Sequence, residues 1–369
     1  MKVLFLATWY PHRYDDMAGL FVRKHAEALV RQGMDVCVLY IHEDHAVKQI
    51  EMVEQKTHGI HEVYVYTPRN FLRALWQGCR LITSQWGLPD ICQLNVISKI
   101  GLLADYLRLR YHIPYVIMEH WSAYLPENGA TLHRRRLLFI RYIARHAACV
   151  MPVSETLAKA MKKSGVTNAR WQVVPNVVDD FFYTPYERMK KPIMQFVHVS
   201  CFDNDAKNIM GILRAIQSLS LRRTDFHFTF IGTGRDFDAA VSYAEQLGIM
   251  PFLTFTGECP PLVVCEHMRQ ADAFVLFSNY ETFAIVLAES IAMGMPFIST
   301  PVGCVHEIDM NTCGCLVPFR DEQALVQRMA YMIDHYADYD SDAIRLQGQC
   351  FSYDIVGNTL IQIYQQCLP

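Results

Sequence analysis

Two glutamates, Glu281 and Glu289, stand eight positions apart in the otherwise apolar segment ETFAIVLAE. Carboxylates accept hydrogen bonds from hydroxyl groups, so this pair could hold a ligand that carries sugar hydroxyls. If a helix begins directly after Glu281, the next three backbone N–H groups lie in its first turn, where phosphate binds readily. These groups belong to Thr282, Phe283 and Ala284. The spacing taken alone favours one glutamate that caps a helix and another that faces solvent.

Lys207 and His120 each follow a predicted strand. Lys207 lies in the segment SCFDNDAKNIMG, where a fixed cation can neutralise a leaving diphosphate. His120 comes directly after the strand PYVIM and could bond a substrate or transfer a proton. Taken singly, a loop lysine is more often simply solvated, and a single histidine is more often structural.

The segment IGTGRDF carries Gly232 and Gly234, but Phe237 stands where a dinucleotide fingerprint has its third glycine. A two-domain dehydrogenase is therefore an alternative interpretation, and it predicts a nicotinamide-dependent signal. The incomplete glycine pattern and its position in the second half of the chain argue against it.

Basic and apolar residues are interleaved in two segments, 69–86 and 132–147. The second is predicted to form a basic amphipathic helix that can lie on an anionic bilayer, although a domain helix with a charged outer face fits equally. Residues 1–180 carry 22 Lys and Arg against 16 Asp and Glu, whereas residues 181–369 carry 12 against 21. The net charge of −3 argues against a nucleic-acid partner. The candidate membrane contacts are Arg134, Arg135, Arg136 and Arg141.

The elements that position these residues form an alternating pattern. The chain has 369 residues, of which 51% are hydrophobic, so two domains with large cores are expected. Strand-like apolar runs alternate with helix-like segments, which predicts two doubly wound α/β domains. The predicted strands are KVLFLAT, DVCVLYI, PYVIMEH and ACVMPVS in the first half, and MQFVHVSCF, FHFTFIGTG, LTFTGE, ADAFVLFS and MPFIST in the second.

Ligands of doubly wound sheets bind beyond the carboxyl ends of the strands. The segments 8–19, 200–207 and 232–235, together with His120 and Glu281, follow predicted strands directly. The charged, proline-containing segment 175–192 is predicted to link the domains. The expected N-terminal domain covers residues 1–182, and the expected C-terminal domain covers 183–351.

Several classes of protein are not expected. The chain has no tract of 18 apolar residues that could span a membrane. Its start is predicted to be a strand rather than a signal peptide, which favours a cytoplasmic location. The twelve cysteines are scattered and are expected to be buried thiols. No Cys or His set has zinc spacing, so no metal is expected.

Taken together, these segments resemble the retaining glycosyltransferases of family 4, the group 1 glycosyl transferases, along nearly the whole chain. Segment 280–303 resembles the family's Glu-x7-Glu motif with its following strand, and segment 9–29 resembles its N-terminal glycine loop and first helix. MEHWSAY, PVSETLAKAMKKSG, VVPNVVD and VSCFDNDAKNI fall in the family's order. The resemblance implies the GT-B fold, with two Rossmann-like domains facing each other across a cleft. It also implies that segment 352–369 is a helix crossing back onto the first domain.

The resemblance implies a role for each matching residue toward a nucleotide-sugar donor, which is a substrate. Gly19 would let the backbone approach the donor phosphates, and Lys207 would hold the diphosphate. Glu281 would contact the transferred sugar, Glu289 the ribose hydroxyls, and His120 would sit near the sugar and the acceptor. No metal or other cofactor is required. The implied catalytic residues are Glu281, Lys207 and His120, and the implied donor-binding residues are Gly19, Ser200, Lys207, Gly232, Glu281, Thr282, Phe283, Ala284 and Glu289.

Three places depart from the family's pattern. Cys201 stands six positions before Lys207, where the family commonly has an arginine, so one phosphate-binding cation is lost. Thr282 and Ala284 replace the two glycines of Glu-Gly-Phe-Gly, and Cys304 replaces the second glycine of a later pair. Thr282 and Ala284 are small enough to leave the backbone amides accessible.

The sequence therefore predicts a retaining glycosyltransferase that moves a sugar from a UDP- or GDP-linked donor to a glycan or lipid-linked glycan. Surface polysaccharide biosynthesis is the expected process. The basic amphipathic segments favour a lipid-linked acceptor and peripheral contact with the inner membrane face. The alternative within the same fold is a catalytically weak sensor of nucleotide sugars, motivated by Cys201, which would bind the donor without turnover.

Overall fold

The computed structural model describes residues 1–186 and 191–368. The chain packs as two compact units. Unit 1 consists of Met1–Val177 together with the C-terminal segment from Tyr353, and unit 2 consists of Val178–Ser352. The predicted linker lies partly outside the described residues, because 187–190 are not among them. The last position of the predicted C-terminal segment, 369, is also outside them.

A seven-stranded sheet forms the centre of unit 1. Its strands are β1 (Lys2–Ala7), β2 (Asp35–Glu43), β3 (Glu51–Thr57), β4 (Ile60–Thr67), β5 (Ile91–Asn95), β6 (Tyr115–Glu119) and β7 (Cys149–Pro152). Their order is β3-β4-β2-β1-β5-β6-β7, and β3 pairs antiparallel with β4 while the other pairs are parallel. Strand β1 pairs on both sides and is buried from Val3 to Ala7, which explains its continuous apolar run.

The helices of unit 1 connect these parallel strands. They are α1 (Leu20–Arg31), α2 (Phe71–Gln85), α3 (Gly101–Tyr111), α4 (Arg134–His146) and α5 (Glu155–Lys163). As predicted, Ser154 caps α5: its hydroxyl accepts the N–H of Leu157 at 3.1 Å, and Glu155 follows in the first turn.

Unit 2 repeats this architecture with a six-stranded parallel sheet. Its strands are β8 (Met194–Val199), β9 (Phe226–Ile231), β10 (Leu253–Phe255), β11 (Ala273–Leu276), β12 (Phe297–Ser299) and β13 (Gly314–Leu316), in the order β10-β9-β8-β11-β12-β13. Its helices are α6 (Asn204–Lys207), α7 (Ile209–Ser220), α8 (Phe237–Gln246), α9 (Pro261–Arg269), α10 (Ile285–Ala292), α11 (Met310–Cys313), α12 (Glu322–His335) and α13 (Ser341–Gly348). Stacked phenylalanines such as Phe228 and Phe230, with ring centroids 4.6 Å apart, fill its core.

The last helix, α14 (Tyr353–Cys367), belongs to unit 1 and packs against α1. The Tyr353 hydroxyl donates to Glu27 at 3.1 Å, and the Arg31 guanidinium lies 3.6 Å from the Tyr353 ring centroid. Backbone contact is close, since a Cβ at Gly357 would lie 2.6 Å from the Ala28 carbonyl oxygen.

The predicted α/β class is confirmed, and each predicted strand is present. Strands β3, β4, β5 and β13 were not predicted. Strand β3 is an exposed edge strand, so its sequence EMVEQKT lacks the apolar alternation that marks a half-buried strand. Within the described residues, no helix is long and apolar enough to cross a membrane.

Candidate active site

In unit 2, Lys207 and Glu281 meet at the carboxyl ends of two neighbouring strands. Strand β8 ends at Val199 and leads to the short helix α6, whose last residue is Lys207. Strand β11 ends at Leu276 and leads to Glu281. Because β8 and β11 pair in parallel, both connections leave the same edge of the sheet. The Lys207 ammonium donates to Oε1 of Glu281, and the Ser278 hydroxyl donates to the same oxygen at 3.0 Å.

Both members of this pair are shielded from solvent, with 15% of the Lys207 side chain and 12% of the Glu281 side chain exposed. Burial disfavours the charged lysine. The Glu281 carboxylate outweighs burial, with help from Cys201 and Asp203, so the pKa of Lys207 is raised. The ammonium is therefore charged at neutral pH and can attract an anion.

Further hydrogen bonds also fix the relative positions of α6 and the Glu281 loop. Asp203 caps α6, its carboxylate accepting the N–H groups of Asp205 at 3.1 Å and Ala206 at 3.3 Å. Asn279 donates its backbone N–H to the Ala206 carbonyl at 2.7 Å and its amide to the Asp205 carbonyl at 2.8 Å. The loop before Glu281 is thus joined to α6 independently of the ion pair.

Ser200 is held by a buried histidine. His198 Nδ1 lies 2.8 Å from the Val275 carbonyl oxygen, and Nε2 lies 2.9 Å from Ser200 Oγ. Burial lowers the pKa of His198 to about 4, so the ring is neutral at pH 7. Since a carbonyl oxygen can only accept, Nδ1 carries the hydrogen and Nε2 accepts the Ser200 hydroxyl. The Ser200 N–H donates to the Ile231 carbonyl at 3.0 Å. Both donors of Ser200 are thus engaged, so a phosphate could accept a hydrogen bond from this residue only by replacing His198 or Ile231 as the acceptor.

Gly232 lets the end of β9 approach the end of β8. Its φ is +115°, and a Cβ there would lie 2.0 Å from the Ser200 carbonyl oxygen. Its N–H donates to the Gly257 carbonyl at 2.8 Å. The backbone at position 232 therefore lies at the sheet edge that carries Lys207.

The helix after Glu281 begins later than expected. Helix α10 begins at Ile285, and Ala284 before it has a left-handed backbone with φ +64°. The prediction that the three amides of Thr282, Phe283 and Ala284 form the first helical turn is therefore wrong. A left-handed residue interrupts the helical path, so Thr282 and Phe283 lie in the preceding loop.

The other residues of this segment have distinct surroundings. The Phe283 ring is buried and meets Phe351 edge-on at 5.6 Å between centroids, and its carbonyl accepts the Cys304 N–H at 2.8 Å. Phe283 can therefore face a ligand through its backbone only. Glu289 is the fifth residue of α10 and is half-buried. Burial raises the pKa of the Cys265 thiol, and the negative charge of the Glu289 carboxylate raises it further.

Cys201 is exposed, and an arginine stands beside its loop. Arg235, from the connection after β9, lies 2.7 Å from Asp203 and also contacts Asp205. Its Nε lies 3.2 Å from Asp236. This guanidinium is already paired with three carboxylates, so it does not simply replace the arginine that is common in the family at position 201.

In unit 1, Gly19 stands where the chain folds back onto the end of β1. It precedes α1 with φ +60°, and a Cβ would lie 2.4 Å from the carbonyl carbon and oxygen of Trp9 and 2.7 Å from the Tyr10 nitrogen. Only glycine fits this contact without displacing the backbone.

Glu119, which sequence analysis did not single out, organises the loop of His120. Its buried carboxylate accepts the N–H groups of Ile97 at 3.2 Å, His120 at 3.0 Å and Trp121 at 3.0 Å. Burial raises the pKa of Glu119 to about 6, although these hydrogen bonds oppose the shift. The sequence feature that could have identified Glu119 is a carboxylate at the last position of a buried strand, because a buried charge needs hydrogen-bond partners.

His120 is buried but keeps one nitrogen available. Its ring lies against Phe21 at an interplanar angle of 33°, with centroids 4.2 Å apart, and its centroid is 5.7 Å from that of the His25 ring. Burial, reinforced by His25, places the pKa of His120 well below its usual value. Among residues 1–186 and 191–368, Nε2 has no hydrogen-bond partner. A neutral imidazole in this state can make one hydrogen bond to a ligand.

The four arginines singled out on α4 divide into two groups. Arg134, Arg135 and Arg136 are exposed at its start. Arg141 is half-buried instead, and its guanidinium donates to the Ser164 carbonyl at 2.7 Å. Arg141 was predicted as a membrane contact, but it is not part of the exposed surface of α4, because its guanidinium binds the end of α5.

In the part of the chain that the structure describes, no group of three or more His, Cys, Asp and Glu residues is placed to hold a metal ion. Residues 18–177 match the model of the glycosyl transferase 4-like domain, and residues 194–335 match the model described as glycosyl transferases group 1. The chain belongs to the group 1 glycosyltransferases of family 4. The protein is a glycosyltransferase.

The relatives that match more than half of this glycosyltransferase share low identity with it. It is 24% identical to the N-acetyl-alpha-D-glucosaminyl L-malate synthase of Bacillus anthracis over 242 residues, which cover 58% of this chain and 62% of that protein. The match thus spans less than two thirds of that relative. A Bacillus subtilis protein named as a teichuronic acid biosynthesis glycosyltransferase, TuaC, is 26% identical over 361 residues, covering 89% of this chain and 88% of the relative.

Solved structures show the same fold over the whole chain. The sucrose-phosphate synthase from Thermosynechococcus elongatus matches with a TM-score of 0.79 and 17% identity, over 99% of this chain and 98% of that chain. Anabaena HepE in complex with UDP-glucose matches with a TM-score of 0.74 and 16% identity, over 99% and 100%. At these identities the likeness concerns the fold, which is that of the GT-B glycosyltransferases.

Proposed function

We propose that the protein is a retaining glycosyltransferase that moves a sugar from a UDP- or GDP-linked donor to a glycan or lipid-linked glycan in surface polysaccharide biosynthesis. The observation that carries the proposal is the shielded Lys207–Glu281 pair at the carboxyl end of the sheet in unit 2. A cation and a carboxylate at one point suit a ligand that has a diphosphate beside sugar hydroxyls.

The pair also supports a specific course for the reaction. A diphosphate that enters would compete with Glu281 for the Lys207 ammonium, and the carboxylate so released would accept hydrogen bonds from the sugar. In the reaction, the bond between the anomeric carbon and the leaving phosphate oxygen breaks, and a bond to the acceptor oxygen forms. Lys207 would neutralise the charge that develops on the leaving diphosphate. With retained configuration, the acceptor attacks from the face that the diphosphate leaves, and a phosphate oxygen takes its proton.

The comparisons support the donor and the process. HepE was solved with UDP-glucose, and TuaC is named for teichuronic acid biosynthesis. A further relative is the lipopolysaccharide 1,6-galactosyltransferase of Salmonella typhimurium, 24% identical over 42% of this chain and 45% of that protein. Glu289 would take the ribose hydroxyls, and the available Nε2 of His120 would serve the sugar and the acceptor.

The surface of α4 supports a lipid-linked acceptor and a location at the inner membrane face. Arg134, Arg135 and Arg136 are exposed there beside two exposed apolar side chains, Leu138 and Tyr142. Cationic and apolar groups on one exposed helix suit an anionic bilayer surface.

A sensor that binds the nucleotide sugar without turnover is the second candidate. Exposed Cys201, in the loop between β8 and α6, favours it, because an arginine that is common in the family is absent there. The two candidates differ in turnover and agree in donor binding.

The deciding experiment is a thermal-shift screen of UDP, GDP, ADP and their common sugar conjugates, with Glu289→Ala alongside. Binding to the folded state raises the thermal midpoint, so one diphosphate series should give a shift that Glu289→Ala weakens. With that donor, transfer and the anomeric configuration of the product separate enzyme from sensor. A complete absence of shift would overturn both candidates.

A further inference from the structure

Unit 1 contains an apolar cavity of about 600 Å³ that none of the residues of the donor site lines. It lies where β1, β2 and β5 end and where α2, α3 and α4 begin. Its apolar lining comes from Ala7, Ile41, Phe71, Ile97, Leu102 and Phe139. Ligand sites of this size usually have such a lining with a few polar groups that set orientation.

Two cations stand among the lining residues. The Lys99 side chain is 73% exposed, and its ammonium lies 3.6 Å from Glu43 and 5.7 Å from the Phe71 ring centroid. A surface ion pair of this kind is weak, so the ammonium is readily available to another anion. Arg136 lies 4.0 Å from the Trp121 ring centroid, and no hydrogen bond or ion pair engages it among the described residues.

Directly before the lining residue Ile97, the backbone has an unusual conformation. Val96 has φ +65°, which is a genuine outlier for a β-branched residue. Its N–H donates to Met118 at 2.8 Å and its carbonyl accepts the Thr8 hydroxyl at 2.8 Å. Ser98 Oγ lies 2.8 Å from that hydroxyl. Strain that the surroundings enforce in this way is characteristic of ligand sites.

We propose that this cavity binds the hydrocarbon segment next to the phosphate of a lipid phosphate, and that Lys99 and Arg136 bind the phosphate itself. The inference rests on the proposed function, because this lipid phosphate would be part of the lipid-linked acceptor. A free sugar would leave most of its hydroxyls against apolar walls, which costs free energy. An amphiphile matches both the apolar lining and the cations beside it.

Farnesyl phosphate, kept below the concentration at which it aggregates, is the probe, and its binding to the full chain is followed by calorimetry. Inorganic phosphate lacks the hydrocarbon and farnesol lacks the phosphate, so each should bind at least about tenfold more weakly than farnesyl phosphate. Leu102→Asp places a charge in the lining and should weaken farnesyl phosphate binding at least about tenfold.

Leu109→Asp is the matched control. Leu109 lies on the same helix, about two turns further along, and is 61% exposed outside the cavity. Binding should stay within about twofold in this variant, although aspartate near a helix C-terminus is the harsher change for the helix itself. Equal losses in the two variants, or no binding of farnesyl phosphate to the wild type, would overturn the inference.

The nucleotide thermal shift, measured on the same proteins, keeps the two proposals apart. A nucleotide shift without farnesyl phosphate binding rejects the cavity and leaves the donor site standing. Farnesyl phosphate binding that Leu102→Asp abolishes, without any nucleotide shift, supports the cavity and rejects the proposed transferase chemistry.

Discussion

The ammonium of Lys207 donates a hydrogen bond to Oε1 of Glu281, and the two opposite charges compensate each other where both side chains are shielded from solvent. Such a pair contributes little net stability, but removing one partner leaves the other charge uncompensated. In the proposed reaction both groups bind the donor. Donor binding would therefore replace the contact between Lys207 and Glu281 with contacts from Lys207 to the diphosphate and from Glu281 to the sugar.

Replacing Lys207 should therefore affect catalysis and stability separately. For Lys207→Ala we expect kcat/KM with the nucleotide sugar to fall at least about 100-fold, because the leaving diphosphate loses its cation. The thermal midpoint should fall too, since Glu281 is left uncompensated. Adding Glu281→Gln should recover much of the midpoint but none of the activity. In the control Lys191→Ala, which removes an ammonium bound to the Gln270 carbonyl at 2.7 Å, transfer near the wild-type rate is expected.

Cys201→Arg should restore the phosphate-binding cation that the family has at this position. A new charge-assisted hydrogen bond would tighten nucleoside diphosphate binding about tenfold, and calorimetry with UDP and GDP measures this. Cys201→Ser is the control and should leave the Kd unchanged. If Cys201→Arg binds no tighter, the acidic groups Asp203 and Asp205 have captured the new guanidinium as they hold Arg235.

His198 should make unit 2 sensitive to acid. Its folded-state pKa of about 4 lies below the ordinary value of 6.5, so between these values the unfolded chain binds a proton that the folded chain does not. The free energy of unfolding therefore falls as the pH falls through this window. Between pH 7 and pH 4.5, the wild type should lose about 2 kcal/mol more than His198→Asn, measured by denaturant unfolding. The same pH dependence in both proteins would show that folding does not lower the pKa of His198.

Much of the fold follows from the sequence because buried parallel strands are apolar on both faces. The central strand β1 and the strands of unit 2 that precede the site are of this kind, and they were predicted. The exposed edge strand β3 carries no such pattern, because its side chains are largely in water. Its position is set by pairing with β4, which a single segment does not reveal.

The site was predictable where a residue's role depends on its place after a strand, as for Lys207 and Glu281. Their direct hydrogen bond was not predictable, because it depends on the pairing of β8 with β11, which are far apart in the chain. The left-handed Ala284 was also missed, since alanine gives no signal for that conformation. Glu119 was missed because its role lies in accepting backbone N–H groups from two separate loops.

The exposed arginines at the start of α4 should bind anionic vesicles. Each removed charge near a bilayer is worth about 1 kcal/mol, so Arg134→Ser with Arg135→Ser should weaken binding to phosphatidylglycerol vesicles about 30-fold in co-sedimentation. Lys159→Ser with Lys163→Ser removes the same charge from exposed positions on α5 and is the control. Vesicle binding that is unchanged, or that falls equally in both double variants, would contradict a membrane role for α4.

A comparison of Gly19→Ala with Gly33→Ala separates the cost of backbone strain from the cost of steric contact. Both glycines have a left-handed backbone, with φ +60° and +78°, but a Cβ at Gly19 would lie 2.4 Å from Trp9 whereas Gly33 has no atom within 4 Å of that position. Gly33→Ala should cost about 1 kcal/mol of unfolding free energy, the ordinary cost of an alanine in this conformation. Gly19→Ala should cost about 3 kcal/mol or displace the backbone at Trp9, because strain and contact act together. Equal costs in urea denaturation would mean that the loop between β1 and α1 yields to the extra methyl group. In that case the close approach at Gly19 is not what fixes the loop.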